Sequence, residues 1–557
     1  MDDFEQEAIN EDLIEFAIRE SVQDAYKLPC SAGAPTFKLT VGHKYYKCFP
    51  VCLLVALVCI SAGDVDALQE LSGCASAFRE SDSRGWLPLH AAAVQLLNGV
   101  LVAVLESTDL TLEEQTEDGD TALTLAAEAG QVENIKLLLK HGASPHNTNS
   151  RNESPLLIAV RQRSYEIVLS LIMGGAFVEQ VCLTKWRAIH EAAKEGCAAI
   201  LMLLLRHGAK ITSRDGHGVT PLGIAAEHGN TEVLDILIHH GKTVYVASNG
   251  DTVLYDATGS GNLDCVKLLL EHGANPNVAS YACQLPIHRA AYEGYILILR
   301  TLIPITTKRA IRLSGQSPVH SAADGGQVQC LELLIQKGYD VNALLHNYGD
   351  LRKTPLYFAV SNGDVTCSER LLAAGARTDL DPLRCILVAI RAERYDLVEL
   401  LLSHGAEVNC YFRVISNTVF PTALQYCFRD HVMLRMLLNS GYHSIFDLFT
   451  EDIQPKVISF CEFVSVSCLA HVVGKVVRML LDYVSHVSIC FKLRQILQRR
   501  PEWDEISDIL GKTPRSLQHL CRLVIRSHMS LRTLNDPETM AAGPFPPRLM
   551  NYLTYRV

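Results

Sequence analysis

The chain has 557 residues, with 50 basic and 61 acidic side chains and a formal net charge of −11. Apolar residues make up 48% and charged residues 20%, a globular balance that argues against disorder over most of the length. The negative balance disfavours a nucleic-acid partner, which would require a basic face for its phosphates. The length allows several domains or one long repeat array.

In chain order, the first segment is acidic. Residues 1–30 hold nine acids against Arg19 and Lys27, a local net of −7, so the remaining residues are nearly neutral. This start is not the basic-then-apolar pattern of a secretory signal. Within residues 1–47, the stretch 11–25 reads as a helix capped by Asn10, with acids in its first turn. Ile14, Ala17, Ile18 and Ser21 share one face, with Asp24 three residues beyond. This spacing resembles the ubiquitin-interacting motif. That resemblance implies that Ile14, Ala17, Ser21 and Asp24 bind ubiquitin; the other reading is a solvated acidic tail. The uncharged run Cys48–Gly63 contains Pro50 and is shorter than the ~20 residues of a membrane span. The expectation is a protein without a membrane segment, placed in the cytoplasm, with its 18 cysteines reduced and no Cys-x-x-Cys pair for zinc.

Residues 48–445 repeat. Thr220-Pro221-Leu222-Gly223-Ile224-Ala225 recurs as Leu87-Pro88-Leu89-His90-Ala91-Ala92, as Thr121–Ala126 and as Ser154–Ala159. Further copies end at Ala192, Ala257, Ala290, Ala322, Ala359, Ala389 and Cys427, and a degenerate first copy ends at Cys59. The spacings run from 30 to 38 and define twelve units. In each unit Thr-Pro supplies an N-cap and a proline at the first helical position. A small Ala at the sixth position lets two short helices pack. A glycine four residues later (Gly130, Gly196, Gly229, Gly261, Gly294, Gly326, Gly363) ends the first helix in a left-handed cap. An apolar triplet such as Leu137-Leu138-Leu139 supplies the buried stripe of the second helix, and His-Gly-Ala terminates it. The His residues in these slots read as structural, neither catalytic nor metal-binding. Stacked units are expected to bury a continuous core and to leave a concave surface for partners.

Residues 446–512 read as helices that cap the last repeat. Residues 513–557 form a separate segment. Thr513-Pro514 opens a helix whose Leu517, Leu520, Cys521, Val524 and Ile525 make an apolar stripe, with Arg515, Arg522 and Arg526 available to the other faces. A short tail has no other domain in which to bury such a stripe, which points to a partner.

The period and the Thr-Pro-Leu-His-x-Ala pattern match the ankyrin repeat. Ser516-Leu517 followed by Cys521 and Ile525 resembles the elongin-binding box of a SOCS box, and Pro544–Leu553 resembles its closing cullin-5 box. Gly543 and Phe545 stand where that box usually has leucines. The whole resembles the ankyrin repeat and SOCS box family, a subset of which carries a ubiquitin-interacting motif. The resemblance implies an all-α ankyrin solenoid followed by a small helical box. It implies a non-catalytic substrate receptor of a cullin–RING ubiquitin ligase, without cofactors. Leu517, Leu520, Cys521, Val524 and Ile525 would bind elongin B and C. Pro544, Pro546, Leu549, Tyr552 and Leu553 would bind cullin-5 with its RING partner, and the repeats would bind a protein substrate. The alternative is an ankyrin scaffold or inhibitor that sequesters a partner without ubiquitination.

Trp86 and Trp186 occupy the slot before the Thr-Pro position, at the hairpin tips, and are candidate substrate anchors. The other arrangement folds both rings back on neighbouring tips. Tyr255, Tyr292 and Tyr357 could extend that surface, as could the loops implied around 346–353 and 411–420. Gly241-Lys242-Thr243 and Gly511-Lys512-Thr513 are not phosphate loops, because Ile236 and Ile506 stand where the first glycine is needed.

Overall fold

A computed structural model describes residues 51–71, 76–82, 84–106, 111–241, 252–345, 354–381, 384–408, 422–427, 429–440, 471–485, 487–511, 516–529 and 547–554. Among these residues every regular element is a helix, and none is long and apolar enough to cross a membrane. The chain divides into two packed units, residues 1–274 and 275–557.

Among the described residues the first unit holds seven helix pairs. It opens with Val51–Ala62 and Val65–Leu71 and ends with Val253–Gly259 and Leu263–Glu271. The opening pair turns at Gly63, in the left-handed region, as the degenerate first copy required. Several later first helices begin at a capped residue: the Thr121 and Ser154 hydroxyls accept from the Thr124 and Leu157 amides at 3.3 Å. Ala92, Ala126, Ala159, Ala192 and Ala225 have no exposed surface, which is why only a methyl fits the sixth position. The apolar triplets are less uniform than expected. In Val132–Lys140 the fully buried residues are Asn134, Ile135 and Leu138, while Leu137 and Leu139 are half-buried. Three consecutive residues span too much of a helix circumference to share one face. Asn134 is buried because its Nδ2 donates to Ala93 O at 2.9 Å and Gln95 O at 2.7 Å, tying one pair to the previous one. Asn230 does the same to Ala193 O and Lys194 O at 2.7 and 2.8 Å.

Among the described residues the second unit contains five pairs, from Pro286–Glu293 with Ile296–Leu302 to Thr422–Cys427 with His431–Asn439. With the first unit this makes the twelve expected repeats. Two helices were not expected, the short Ser76–Arg79 after the first pair and a seven-residue one in the second unit. Lys308–Ser314 fills the connection between Ile296–Leu302 and Pro318–Asp324, where other repeats carry a hairpin tip. Thr307 caps it, accepting from Ala310 N at 3.2 Å, and Gly315 ends it at φ +75°. After the last pair come Val473–Leu480, Phe491–Leu497 and Trp503–Gly511, then Leu517–His528 and Pro547–Thr554.

Several repeat histidines bond to backbone atoms within the fold. Where Leu replaces Thr at the cap, no hydroxyl is available, and the His three residues later takes over. His90 Nδ1 accepts from Leu87 N at 3.0 Å, which leaves Nε2 to donate to Glu114 O at 3.0 Å in the following connection. His288 repeats this with Leu285 N at 2.9 Å and Gln316 O at 3.0 Å. Burial lowers the pKa of His90 and His190, and brings His288 down to about 4.

Candidate functional site

The helix Leu517–His528 starts at Ser516, whose hydroxyl accepts from His519 N at 3.2 Å. At 100° per residue its side chains divide into two faces. Leu517, Cys521 and Val524 lie within one narrow sector, flanked by Leu520 and Ile525. His519, Arg522 and Arg526 lie on the opposite side. In a globular protein the first group would face inward. Here the order is reversed. Leu517 is 77% exposed, Val524 57% exposed, and Cys521 is exposed; Leu520 and Ile525 are half-buried.

The polar face is the one that packs. His519 is buried, and its Nε2 lies 2.9 Å from Val484 O. Arg526 donates from Nη2 to Asn439 O at 3.0 Å and from Nη1 to Leu553 O. The Arg522 guanidinium sits 3.3 Å from the centre of the Tyr552 ring. Tyr483 donates to Asn439 Oδ1 at 2.8 Å beneath the Arg526 side chain. Charged and aromatic anchors therefore hold the helix with its apolar stripe turned to solvent.

Of the five residues expected to meet cullin, Pro544 and Pro546 lie outside the described residues. Leu549 lies in Pro547–Thr554, but its side chain is not described. Tyr552 is half-buried under Arg522, and Leu553 is fully buried, so its part in this structure is packing within the box. Ile14, Ala17, Ser21 and Asp24 all lie outside the described residues, as do the loops around 346–353 and 411–420.

Trp86 and Trp186 are half-buried, each beside the His of its own first helix. The Trp86 and His90 ring centres are 6.4 Å apart, and Arg84 covers the indole at 5.3 Å. Trp186 stacks near His190 at 5.3 Å and donates from Nε1 to Glu191 Oε2 at 2.6 Å. Both rings thus lie against their own repeats. Tyr255 is buried, whereas Tyr292 is exposed.

Asp235, His239 and His272 bring ligand atoms within 4.8 Å of one another on the surface. His239 Nδ1 is already 2.9 Å from Asp235 O, a bond that caps its helix end. The described cysteines are free thiols, and burial pushes Cys330 up to about 11 and Cys385 well above its usual range, the reverse of what a nucleophile needs.

Residues 54–149, 95–182 and 189–280 match a family model described as ankyrin repeats in three copies, and 319–372 match one for ankyrin repeats in many copies. Residues 281–318 lie between these stretches. Residues 513–554 match the SOCS box model. The chain is 43% identical over 520 residues to the Mus musculus protein named Ankyrin repeat and SOCS box protein 14, covering 89% of this chain and 88% of that one. It is 42% identical over 575 aligned positions to the Homo sapiens protein of the same name, covering 99% and 96%. A Bos taurus protein named Dynein axonemal heavy chain 12 is 46% identical over 374 residues, covering 64% of this chain and 96% of that one. Two of these relatives, aligned along most of both chains, are named for ankyrin repeats and a SOCS box. The chain therefore belongs to the ankyrin repeat and SOCS box family.

Proposed function

We propose that this protein is a non-catalytic substrate receptor of an elongin B/C–cullin-5–RING ubiquitin ligase. The outward apolar stripe of Leu517–His528 carries this reading. An exposed stripe at helical spacing is the anchor pattern of a helix laid into a partner's groove. Elongin C would cover Leu517, Cys521 and Val524, with Leu520 and Ile525 at the edges. Pro544–Leu553 would meet cullin-5, the repeats would hold a protein substrate, and residues 11–25 would contact ubiquitin. The contribution to the reaction is proximity: substrate lysine and ubiquitin-loaded enzyme are held on one scaffold. The setting is the cytoplasm.

The test is co-purification of the full chain with elongin B and C. Leu517→Ala and Cys521→Phe should each abolish or strongly reduce recovery. Undiminished elongin binding by a chain ending at Arg500 would refute the assignment. Gly543 and Phe545 favour a second reading, because they replace the leucines that a cullin box usually presents. In it the chain holds elongin and a partner without recruiting cullin-5. Reconstitution with cullin-5 separates the two: ubiquitination of a bound partner supports the first, and elongin binding without cullin capture supports the second.

A further inference from the structure

The unexpected helix Lys308–Ser314 carries an unusual charge pattern. Between Glu271 and Asp324 the sequence has one acid, Glu293, against Arg289, Arg300, Lys308, Arg309 and Arg312, a local net of +4 in a chain of −11. Glu293 pairs with Arg289 at 3.0 Å. Lys308, Arg309 and Arg312 are exposed and form no ion pair among the described residues. Lys308 and Arg309 also stand in the first helical turn, where the helix dipole disfavours cations. A local rule broken without a compensating contact is expected at a functional surface.

Hydrogen bonds tie both ends of this helix to the preceding repeat. Asn277 Oδ1 accepts from Thr307 N at 2.7 Å and from Thr307 Oγ1 at 2.9 Å, while its Nδ2 donates to Ile305 O at 3.3 Å. At the other end, Gln316 O receives the His288 Nε2 bond. Beside the cations lies an open pocket lined by Ala279, Cys283, Leu285, Arg309, Ala310 and Leu313, with Leu313 77% exposed at its edge. Arg309 thus borders a small apolar hollow, and Lys308 and Arg312 stand on the same short helix.

We propose that this helix and pocket form the docking surface for an acidic peptide segment of a partner protein, its carboxylates on Lys308, Arg309 and Arg312 and an apolar side chain against Leu313. This deepens the substrate-receptor reading and rests on it for the role of the repeats. Three cations neutralise too few phosphates to hold a nucleic acid at physiological salt.

The experiment is selection of a phage-displayed random dodecapeptide library on the full chain, followed by titration of the enriched peptides. Enriched peptides should be acidic with an apolar residue, and their binding should weaken with salt. Lys308→Glu/Arg309→Glu/Arg312→Glu should weaken binding at least about tenfold. Its thermal midpoint should hold or rise, since acids suit the first turn. Leu313→Asp should weaken the same peptides with the cations intact. Peptides without acidic bias, or affinities unchanged in the charge-reversed variant, would overturn the proposal. So would enrichment seen only after removal of residues 1–30, which would make the chain's own acidic segment the occupant, or capture of oligo-dT through the same cations. Elongin co-purification reports on the ligase reading separately and does not depend on any of these results.

Discussion

The second helices of the repeats and the box helix use amphipathicity in opposite senses. Val132–Lys140 turns Ile135 and Leu138 inward and leaves Glu133 and Lys136 in solvent, where they pair at 2.7 Å. Leu517–His528 turns His519 and Arg526 inward and leaves Leu517 and Val524 in solvent. A repeat uses its apolar face to stack on its neighbours. The box helix is fixed by polar anchors instead, so its apolar face stays available. The same periodicity thus marks core in one region and contact surface in the other, and only the position of the polar partners distinguishes them.

The comparison is broken most severely in the repeats. Leu138→Ala leaves a cavity at a site with no exposed surface and should cost about 2–5 kcal/mol, read as a lower midpoint in urea unfolding. Leu517→Ala, at an exposed position, should change that midpoint by less than about 0.5 kcal/mol. A comparable loss from Leu517→Ala would mean that the box stripe is core after all.

Acid comes next. His288 is buried neutral, and its pKa falls from 6.5 to about 4 on folding. The unfolded state therefore binds the proton more readily. The stability this histidine contributes is complete above pH 6.5 and is lost as pH falls toward 4, up to about 3 kcal/mol. Burial lowers the pKa of His90 and His190 too, so both act in the same direction. Unfolding between pH 7 and 4 should show this slope, and His288→Gln should flatten it while lowering stability at pH 7. A wild-type slope unchanged in His288→Gln would contradict the assignment.

A smaller effect belongs to the box anchors. Arg526→Ala removes bonds to two backbone carbonyls and should cost about 1–3 kcal/mol locally. Hydrogen exchange should then speed up in residues 547–554 before the repeats are affected. The smallest effect has the opposite sign. Glu393 occupies the slot that glycine fills in other repeats, at φ +56°. Glu393→Gly should stabilise by about 1 kcal/mol, visible as a slightly higher thermal midpoint.

Much of this was legible in the sequence because repetition averages out local ambiguity. Gly130, Gly196 and Gly294 stand at positive φ as their spacing required, and Ala92 and Ala290 are buried as their slot required. Two things were missed. Arg522 and Arg526 were read only as available to other faces, because their partners Tyr552, Leu553 and Asn439 are distant in sequence and leave no periodic trace. The helix Lys308–Ser314 did leave a signal, Thr307 at its start and Gly315 at its end, but the regular 32-residue spacing from Ala290 to Ala322 suggested an ordinary connection. Trp86 and Trp186 stood out by type and by their slot at the hairpin tips, and neither tells whether an indole projects or lies back on its own helix.

The most direct measurement is a paired titration of elongin B/C into Leu517→Ala and Leu553→Ala chains, with hydrogen exchange of the box followed in parallel. Leu517→Ala should weaken elongin binding about tenfold or more while leaving exchange unchanged, because its side chain is 77% exposed. Leu553→Ala should do the reverse first, loosening the box through a buried cavity. Elongin affinity unaltered by Leu517→Ala would contradict the central claim that the box helix is built inside out to receive a partner.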